Sequence, residues 1–515
     1  MAGSLLLGVD IGTSSSKGVL CTPDGEVVAS AVFEHETSFP RPGWAEHDAD
    51  AVWWGEFVQI CRQLLSGEYS GEDVGAVAVS AIGPCMLPVD AHDRPLRPGV
   101  LYGIDSRAQA EIDWLEARYG ADAMFALNGM ALTSQAVGPK IRWLREHEPE
   151  IFARTAKIHS ASTYMVLRLT GEHVMDRHTA SYYVPLFDVH ALAWDDRFSE
   201  GVIGLDRLPR LLDADEIAGA VTVSAAAETG LRAGTPVTAG TIDAAAEAIS
   251  VGVTDPGDMM VMYGSTLFLI NLVEAPHPDR RMWTAAYCLP GRHAVTGSIT
   301  TSGLLTKWFR DQFGESERAR ERMGGESAYA QLAQLAAGVP AGADGLICLP
   351  YFAGERTPLN DPDARGVFAG LTLRHGRAHL YRAVLEAIGF GLRTNLDVMA
   401  EMQASPRRLV AVGGGAQNDV WTQIVSDITG VAQVLPERTV GASYGDALLA
   451  GIATGIVDRD TAVRTWVRTR RIITPNPAHS AVYDATYRVY SDLYGHIRED
   501  IHALNRIDTA FAPNA

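Results

Sequence analysis

The sequence predicts a protein of the α/β class with two lobes. Strand-like and helix-like segments alternate along the whole chain, which is the pattern of an α/β fold. Turns rich in Gly, Ser and Thr follow strands in both halves, as expected of a duplicated, two-lobed architecture. The length of 515 residues favours two large domains or three smaller ones. We place the boundary near residues 245–250, which gives an N-terminal lobe of residues 1–245 and a C-terminal lobe of residues 246–515.

The composition is that of a globular chain with a strongly acidic balance. Lys and Arg total 43 against 62 Asp and Glu, which gives a formal net charge of −19. A chain with this charge is a poor general binder of nucleic acid or of an anionic membrane. We therefore expect a small-molecule substrate and no nucleic-acid or membrane partner. Any anionic ligand has to be bound by local devices such as backbone N–H groups, helix N-termini or a divalent cation.

The cysteines and the apolar segments favour a cytoplasmic location. The five cysteines are scattered and form no CxxC or Cys/His cluster, so neither a zinc site nor a disulfide framework is predicted. The N-terminus lacks the basic region of a signal peptide. No apolar stretch reaches the roughly 18 residues that a membrane-spanning helix needs.

The N-terminal half is predicted to begin with a β-meander and to continue with alternating helices and strands. The turn-forming residues Pro23–Glu26 separate two apolar strands. Large apolar residues recur at helical spacing after Asp50. The predicted strands are 5–10, 18–21, Val27–Phe33 and Val74–Ala81, and the predicted helices are Asp50–Leu65 and Ser106–Tyr119.

The second half is predicted to repeat this organisation. A turn at Ala233–Gly240 feeds a strand, which leads through Thr241–Asp243 into an Ala-rich helix. A second β-rich block and several helices follow. The predicted strands are Asp258–Tyr263, Thr266–Val273, His293–Ser298 and Leu409–Val412, and the predicted helices are Gly303–Phe313, Asp419–Ile428 and 479–504.

The first segment with chemical character is Gly8–Gly18. It reads as a strand, a tight turn with four hydroxyl residues, and a returning strand. Such a turn can offer backbone N–H groups and hydroxyls to phosphate oxygens, and Asp10 at the strand end can hold a hydrated Mg²⁺. Its spacing fits neither a Walker A motif nor GxGxxG. A polar hairpin turn without function would look much the same.

Two further glycine-containing turns lie in the second half. Tyr263–Thr266 is a short turn between two apolar strands, and taken alone it is typical of an ordinary hairpin. Gly413–Gly415 directly follows an apolar strand, so the backbone there can approach a bulky ligand closely. The helix after it directs its N-terminus at that ligand. A dinucleotide fold would need a wider glycine spacing, although Glu437 lies near the position of its acidic residue.

Asp243 is the candidate catalytic base. It lies at the junction between a strand and the Ala-rich helix. In many proteins an Asp at this place only caps the helix. A carboxylate near the positive end of a helix also stays ionised, so it can accept a proton from a substrate hydroxyl.

Several motifs resemble those of the FGGY family of carbohydrate kinases. The segment Gly366–Leu371, followed by His379-Leu380 and Ala383–Glu386, fits the C-terminal signature of that family. Gly354–Pro358 and Lys140–Trp143 are also similar to the family, and the resemblance covers residues 5–475. It implies the actin/hexokinase-like (ribonuclease H-like) two-lobed fold, with a cleft between the lobes.

The resemblance also implies roles for individual residues. ATP and Mg²⁺ are the implied cofactors, and phosphorylation of a sugar or polyol hydroxyl is the implied reaction. Asp243 matches the catalytic base and Asp10 the carboxylate beside the metal. The nucleotide residues that it implies are Gly12, Thr13 and Ser14 in the first phosphate turn; Gly264, Ser265 and Thr266 in the second; Gly303 near the phosphates; and Gly414, Gly415 and Asn418 beside the adenosine.

The substrate is less sharply indicated. Cys85 and Met86 replace the Met-His pair of xylulose kinases and the Arg-Glu pair of glycerol kinases. With Ile104 they predict a rather apolar wall, against which Asp105 and Gln135 are the polar candidates for contact with sugar hydroxyls. We expect a pentulose such as xylulose. Ribulose, a tetritol or a deoxy sugar remain alternatives, and glycerol is the least favoured.

Two other classes of function are kept open at this stage. One is a nucleotide-binding regulator that has the fold but no catalysis, against which the presence of Asp10 and Asp243 argues. The other is an NAD-linked dehydrogenase built on Gly413–Gly415, against which the absence of GxGxxG in the first βα unit argues. A homodimer is also left open.

Overall fold

The computed structural model describes residues 3–511, apart from the side chains of residue 460, residues 462–464 and residues 508–511. The chain divides into two compact units. The first unit consists of Met1–Asp255, Leu272–Ala294 and Arg438–Arg468. The second consists of Pro256–Asn271, Val295–Glu437 and Thr469–Ala515.

The unit boundary differs from the one that the sequence predicts. The predicted boundary between residues 245 and 246 falls inside the helix Asp243–Ser250, whereas the first change of unit comes after Asp255. Helix Asp243–Ser250 belongs entirely to the first unit because it packs against the helix Ala442–Ala453. That second helix returns to the first unit from late in the chain, which no local sequence pattern announces.

The first unit contains a mixed seven-stranded sheet. Its strands are β1 (Leu5–Ile11), β2 (Ser15–Cys21), β3 (Val27–Glu34), β4 (Val74–Ala81), β5 (Ile217–Ala220), β6 (Pro236–Thr238) and β7 (Thr241–Ile242). They are arranged in the order β5-β6-β4-β1-β2-β3, with β7 also paired to β4. Strands β1, β2 and β3 form the predicted antiparallel meander, whereas β4 runs parallel to β1, β6 and β7.

A second seven-stranded sheet has a similar plan. Its strands are β8 (Asp258–Tyr263), β9 (Leu267–Val273), β10 (Trp283–Ala286), β11 (His293–Ile299), β12 (Arg408–Val412), β13 (Gln433–Pro436) and β14 (Thr469–Ile473). The order is β10-β11-β9-β8-β12-β13-β14. An antiparallel hairpin, β8–β9, again lies beside parallel strands, β12 and β13. Two mixed sheets with helices confirm the predicted α/β class and the recurrence of a hairpin in each half.

Within residues 3–511, five short two-stranded ladders complete the strands, and helices pack against both sheets. The ladders pair Glu46–His47 with Gly99–Val100, Leu87–Val89 with Lys157–His159, Val174–Asp176 with Arg210–Leu212, Phe187–Asp188 with Ala193–Trp194, and Ile347–Leu349 with Val367–Ala369. The helices of the first unit are Gly55–Leu64, Gln109–Tyr119, Ala121–Asn128, Val137–His147, Pro149–Arg154, Ala161–Thr170, Arg177–Ser181, Val223–Thr229, Asp243–Ser250, Ala442–Ala453 and Arg459–Trp466. Those of the second are Gly303–Phe313, Glu315–Arg322, Ala328–Ala337, Arg377–Glu401, Asp419–Thr429 and Ser480–Phe511.

Two predicted helices begin differently in the structure. The one expected over Asp50–Leu65 starts as a wide π-type segment, Ala49–Trp54, and is an α-helix only from Gly55 to Leu64. The one expected from Ser106 begins at Gln109. Its start is delayed because the carboxylate of Asp105 accepts the N–H of Arg107 at 3.1 Å, which closes a turn before the helix.

Close backbone packing fixes the helix Ala442–Ala453 against the first sheet. A Cβ added to Gly8 on β1 would lie 1.9 Å from the carbonyl oxygen of Ser443. A Cβ added to Gly445 would lie 1.9 Å from the carbonyl oxygen of Ala246. Only glycine permits these approaches, so the helix is in direct contact with both the strand that carries Asp10 and the helix that begins at Asp243.

The part of the C-terminal signature that lies in the long helix is largely structural. Glu386 in helix Arg377–Glu401 is buried, and its Oε1 accepts hydrogen bonds from Arg382 at 2.7 Å and from Tyr483 at 3.0 Å. The pair ties this helix to the final helix, Ser480–Phe511. Within residues 3–511, no helix combines the length and apolar character that crossing a membrane requires.

Candidate active site

A group of carboxylates lies at the ends of the central strands of the first sheet. Asp10 on β1 and Thr241 on β7 both pair with Ser80, which lies on the strand between them. Neighbouring strands are about 4.8 Å apart, so Asp10 and the residues after Thr241 are brought to the same edge of the sheet. Asp243 follows two residues later, and burial together with the charge of Asp243 raises the pKa of Asp10. The structure therefore brings together the predicted base and the predicted metal-side carboxylate.

Asp243 is the first residue of the helix Asp243–Ser250. Its Oδ1 accepts the N–H of Ala244 at 2.7 Å. Burial raises the pKa of Asp243 to about 6, and this hydrogen bond opposes the rise. A carboxylate with that pKa is mostly ionised at neutral pH but still holds a transferred proton well, which is the property that a general base needs.

Glu247 is an acidic residue of this site that the sequence analysis did not single out. It lies one helical turn after Asp243, on the same face of the helix. Burial and the charge of Asp243 raise the pKa of Glu247 to about 7, and Lys17 opposes this rise. Lys17 pairs with Asp10 across β1 and β2, so one cation faces several carboxylates. The spacing of four residues from Asp243 was the sequence signal that could have identified Glu247.

Asp446 is a second acidic residue that the sequence analysis missed. It is fully buried in the helix Ala442–Ala453, and its Oδ2 accepts a hydrogen bond from Ser80 Oγ at 2.7 Å. Ser80 Oγ also lies 3.5 Å from Oδ1 of Asp10. Burial, with a contribution from the charge of Asp10, raises the pKa of Asp446 well above its ordinary range. An Asp within a helix of mostly small and apolar residues is a sequence signal of a functional position. Only the fold, however, places Asp446 beside Asp10.

The first Gly/Ser/Thr turn connects β1 to β2 beside Asp10. Its ends are joined by a hydrogen bond from Gly12 N to Ser15 O at 3.0 Å. Thr13 and Ser14 form the tip, and within the described part of the chain their N–H groups and hydroxyls donate to no other residue. Ser14 is exposed. The turn therefore has unused donors of the kind that bind phosphate oxygens.

The same edge of the sheet fits a hydrated Mg²⁺. Magnesium is usually bound by one or two carboxylates together with water and phosphate oxygens, rather than by a cage of protein ligands. Residues 3–511 contain no preformed group of three or more His, Cys, Asp or Glu side chains placed to hold a metal ion. Burial and the charges of Asp243 and Glu247 raise the pKa of Asp10 well above its ordinary range. A bound cation would stabilise the ionised form of this carboxylate.

The second unit contains a cavity of about 880 Å³, a size typical of ligand sites. Its apolar side is formed by Tyr329, Ala330, Ala333 and Tyr381. Six of the seven nucleotide residues predicted in this unit line it, and Thr266 does not. The six are Gly264, Ser265, Gly303, Gly414, Gly415 and Asn418.

The second Gly/Ser/Thr turn is bound to the start of the helix Gly303–Phe313. Gly303 N donates to Gly264 O at 2.9 Å, and the N–H groups of Ser302 and Leu304 both donate to Ser265 O at 3.0 Å. These bonds hold the turn at a helix N-terminus, where anionic groups are favoured. Gly264, Ser265 and Gly303 thus form one hydrogen-bonded corner of the cavity.

The family-like segment Gly354–Pro358 supports that corner. Glu355 Oε1 accepts the N–H of Thr300 at 2.8 Å and its hydroxyl at 3.0 Å. Burial raises the pKa of Glu355 to about 7. Thr357 is likewise buried, and it contacts the strand before Thr300 through a hydrogen bond from Ser298 N at 2.7 Å. The segment therefore positions the backbone that leads into Gly303.

The third glycine turn also lines the cavity, beside Tyr263 of the second turn. Gly414 and Gly415 lie in a short 3₁₀ segment after β12, and Asn418 caps the following helix, Asp419–Thr429. The Oδ1 of Asn418 accepts the N–H of Trp421 at 3.1 Å, which leaves its amide N–H₂ for a ligand. A Cβ on Gly414 would meet no atom within 4 Å, so its side toward the cavity is open.

The three residues predicted to touch the substrate differ in their surroundings. Asp105 is fully buried; Arg107 donates to both of its oxygens, and the N–H of Ala45 donates to Oδ2 at 2.7 Å. A sugar hydroxyl would have to compete with these partners. Met86 is fully buried in an apolar cluster. Gln135 is half-buried and lies over Gly103, so it is the most accessible of the three.

Lys140, in the family-like segment Lys140–Trp143, anchors the neighbouring loop. Its Nζ donates to Leu101 O at 2.8 Å and to Ser134 O at 2.7 Å, and the side chain is buried. Burial lowers the pKa of Lys140 to about 8. The ammonium thus joins the loop around Gly103 to the loop that carries Gln135.

The chain is similar to known carbohydrate kinases over most of its length. Residues 5–250 match the profile for the N-terminal domain of the FGGY family of carbohydrate kinases, and residues 259–454 match the profile for its C-terminal domain. A xylulose kinase of Escherichia coli (strain K12) is 32% identical over 455 residues, which cover 87% of this chain and 90% of that protein. A gluconokinase of Bacillus subtilis (strain 168) is 27% identical over 494 residues, which cover 95% of each protein. The crystal structure of xylulose kinase from Rhodospirillum rubrum matches with a TM-score of 0.90 and 34% identity, and covers 97% of this chain and 100% of that one.

Proposed function

The chain belongs to the FGGY family of carbohydrate kinases, and we propose that it transfers the γ-phosphate of ATP to a hydroxyl of a small sugar. The favoured acceptor is a pentulose such as xylulose. The observation that carries the proposal is the position of Asp243. It is a carboxylate at a helix N-terminus, on the same sheet edge as Asp10 and the free donors of the turn at Thr13 and Ser14.

In this proposal Asp243 acts as the general base. It accepts the proton of the acceptor hydroxyl as the sugar oxygen forms a bond to the γ-phosphorus, and the bond from that phosphorus to the bridging oxygen of ADP breaks. The N–H groups and hydroxyls of Thr13 and Ser14 hold phosphate oxygens. Asp10 would hold Mg²⁺, which when bound supplies charge neutralisation at the phosphates. Such reactions depend mainly on positioning and electrostatics, to which a base adds about 10²–10⁴-fold.

The cavity of the second unit is proposed to bind the nucleotide. Its apolar side, with Tyr329, Ala330 and Ala333, suits a flat aromatic base. Its glycine turns allow the backbone to approach the ligand, and the turn at Gly264 and Ser265 lies beside a helix N-terminus, which suits phosphates. We assign Gly414, Gly415 and Asn418 to the adenosine side of this site.

Among the acceptors, a neutral ketose is favoured over a sugar acid. The similarity to a gluconokinase makes gluconate the second candidate. A carboxylate substrate would need a cation in the pocket wall, but Lys140 donates to two backbone carbonyls and Arg107 is paired with Asp105. Lys17 already faces the carboxylates of Asp10 and Glu247. The segment with Cys85 and Met86 adds no charge. These contacts support a pentulose such as xylulose, with the related pentulose ribulose, a tetritol or a deoxy sugar as further alternatives and glycerol as the least favoured.

We also propose a small-molecule partner and a cytoplasmic location, from the net charge and from the cysteines. The net charge of −19 supports a small-molecule partner rather than nucleic acid or an anionic membrane. All five cysteines are free, which supports a reducing cytoplasm. The dehydrogenase alternative is withdrawn because the chain belongs to a kinase family.

A coupled ADP-release assay tests the proposed function. Purified protein with ATP and Mg²⁺ is supplied in turn with xylulose, ribulose, a tetritol, a hexulose, gluconate and glycerol. We expect the highest kcat/KM with a pentulose. A strong preference for glycerol or gluconate would contradict the proposed acceptor. No ADP release with any of them would favour a catalytically silent, nucleotide-binding regulator.

A further inference from the structure

A line of side chains lies behind the first phosphate turn, on the side away from its free donors. Thr37 Oγ1 donates to the carbonyl oxygen of Thr13 at 3.0 Å. His47 Nε2 lies 3.1 Å from the same Thr37 Oγ1. The indole N–H of Trp53 donates to His47 Nδ1 at 3.1 Å. His47 is 1% exposed and Trp53 is fully buried, so water does not compete for the bond between them, whereas Thr37 is half-buried.

The chemistry of Trp53 fixes the direction of every hydrogen bond in this line. An indole nitrogen can only donate, so Nδ1 of His47 must accept. The neutral imidazole then carries its proton on Nε2, which donates to Thr37 Oγ1. A hydroxyl has one proton, and that of Thr37 is left for the carbonyl of Thr13. Burial, with a contribution from His35, lowers the pKa of His47 to about 4, which agrees with a neutral ring. The charge of Glu56 and a contact of the ring with the Thr13 backbone oppose this fall, so His47 also lies close to the carbonyl that Thr37 binds.

The orientation of one peptide plane follows from this bond. The C=O of Thr13 and the N–H of Ser14 belong to the same planar, trans peptide, so they point in opposite directions. A carbonyl held toward Thr37 therefore turns the N–H of Ser14 to the opposite side of the turn. That N–H makes no bond to any other residue in the described part of the chain. The next carbonyl, of Ser14, is held in the same way by the N–H of His35 at 3.0 Å.

We propose that Thr37, aligned by His47 and Trp53, is a positioning residue that aims the Ser14 N–H at a phosphate oxygen of the nucleotide. The inference rests on the proposed function and extends it to three residues that do not touch the substrate. The alignment involves only side chains of the first unit. Loss of the Thr37 hydroxyl leaves the turn in place but lets the peptide between Thr13 and Ser14 rotate. The transition state is therefore affected more than the binding of the sugar.

The matched pair Thr37→Val and Thr37→Ser tests this role. Valine keeps the shape of threonine without the hydroxyl, and serine keeps the hydroxyl. We expect Thr37→Val to lose about 10- to 100-fold in kcat, because a misplaced donor is costly in the transition state. Thr37→Ser should stay within about threefold of the wild type, and KM for the sugar should be unchanged in both. Equal losses in the two variants, or a loss confined to KM for the sugar, would overturn the proposal.

The double variant Thr37→Val/His47→Leu tests whether the residues act as one line. We expect it to lose no more activity than Thr37→Val alone, because the same bond has already been removed. Additive losses would mean that His47 acts independently of Thr37, and would overturn the proposal that the three residues form one line. Melting temperatures of all the variants show whether any loss comes from unfolding.

A measurement without turnover tests the same line in the wild type. Isotope-edited NMR of the imidazole nitrogens should find the proton of His47 on Nε2 and none on Nδ1. A proton on Nδ1 would break the acceptor role toward Trp53 and overturn the proposal. If the wild type releases no ADP with any sugar, the proposed function fails by itself, and the NMR result still decides whether the line exists.

Discussion

Ser80 and Asp446 are joined by a 2.7 Å hydrogen bond, although 366 residues separate them in the chain. Ser80 lies on the strand between β1 and β7, whereas Asp446 comes from the helix Ala442–Ala453. The profile of the family's C-terminal domain includes that helix, yet it packs within the first unit. The late helix therefore contributes to the carboxylate edge that early strands build.

Asp243→Asn should abolish most turnover without affecting nucleotide binding. The amide has nearly the same shape but cannot accept the hydroxyl proton, so we expect a loss of at least about 10²-fold in kcat. ATP affinity, measured by calorimetry, should stay near the wild-type value because the proposed nucleotide cavity belongs to the second unit. Near-normal turnover would remove Asp243 from the role of base.

Asp10→Asn should raise the Mg²⁺ concentration that gives half-maximal turnover. The substitution removes the carboxylate best placed to hold the cation, and leaves β1 otherwise intact. The control is Asp24→Asn, because Asp24 is an exposed turn residue of the same unit. Measurements of initial rate against Mg²⁺ at fixed ATP should separate the two variants. An unchanged metal dependence in Asp10→Asn would argue against Asp10 as the metal-side carboxylate.

The rate should fall as the pH is lowered through about 6. Burial raises the pKa of Asp243 to about 6, so below that pH the base is increasingly protonated and cannot accept the hydroxyl proton. We expect kcat/KM for the sugar to fall about tenfold for each further pH unit. The profile is measured at saturating ATP and Mg²⁺, with circular dichroism to show that the protein stays folded. A flat profile between about pH 7 and 5 would contradict the assignment.

Local sequence signals identified most of the parts of this site but not their assembly. The hairpin around Thr13 and the helix that begins at Asp243 were predictable, because turn residues, strand patterns and helix starts are local features. Asp446 was not, because nothing near it in the chain shows that its helix packs on β1. Asp105 shows another limit. The sequence around Asp105 indicated a contact with sugar hydroxyls. In the folded loop Asp105 instead forms an ion pair with Arg107, which no local pattern predicts.

The division of the chain into compact units depends on packing that sequence patterns do not mark. Sequence patterns mark where helices and strands begin, and they placed the predicted boundary within the helix Asp243–Ser250. The compact units are instead set by packing between distant segments. Thr266 illustrates the same point on a smaller scale. It belongs to the predicted phosphate turn, but only Gly264 and Ser265 of that turn line the cavity.

Glu247→Gln should make the protein more stable at alkaline pH. Burial and the charge of Asp243 raise the pKa of Glu247 from 4.5 to about 7, so between these values the folded state binds more protons than the unfolded state. The contribution of Glu247 to stability is therefore present at low pH and is lost as the pH rises through about 7.

Neutral Gln removes this loss. We expect a gain of about 1–3 kcal/mol in the free energy of unfolding at about pH 8, shrinking toward pH 4.5. Urea titrations at several pH values measure it. The exposed residue Glu172 in the same unit provides the control Glu172→Gln, which should show no such trend. A destabilised Glu247→Gln at pH 8 would mean that Lys17 outweighs the neighbouring carboxylates.

Gly303→Ala should weaken ATP binding and destabilise the second unit. A Cβ at this position would lie 2.5 Å from the carbonyl oxygen of Gly264, so the turn that lines the cavity has to move. We expect a loss of about 1–3 kcal/mol in the free energy of unfolding and a raised Kd for ATP. Gly495→Ala is the matched control, because Gly495 lies in a helix of the same unit and its Cβ would meet nothing within 4 Å. That control should gain about 0.5–1 kcal/mol, as Ala replaces Gly in a helix, and should bind ATP normally. Calorimetric titration with ATP measures the Kd of both variants, and urea unfolding measures their free energy of unfolding. Wild-type affinity for ATP in Gly303→Ala would show that the corner formed by Gly264 and Gly303 does not hold the phosphates.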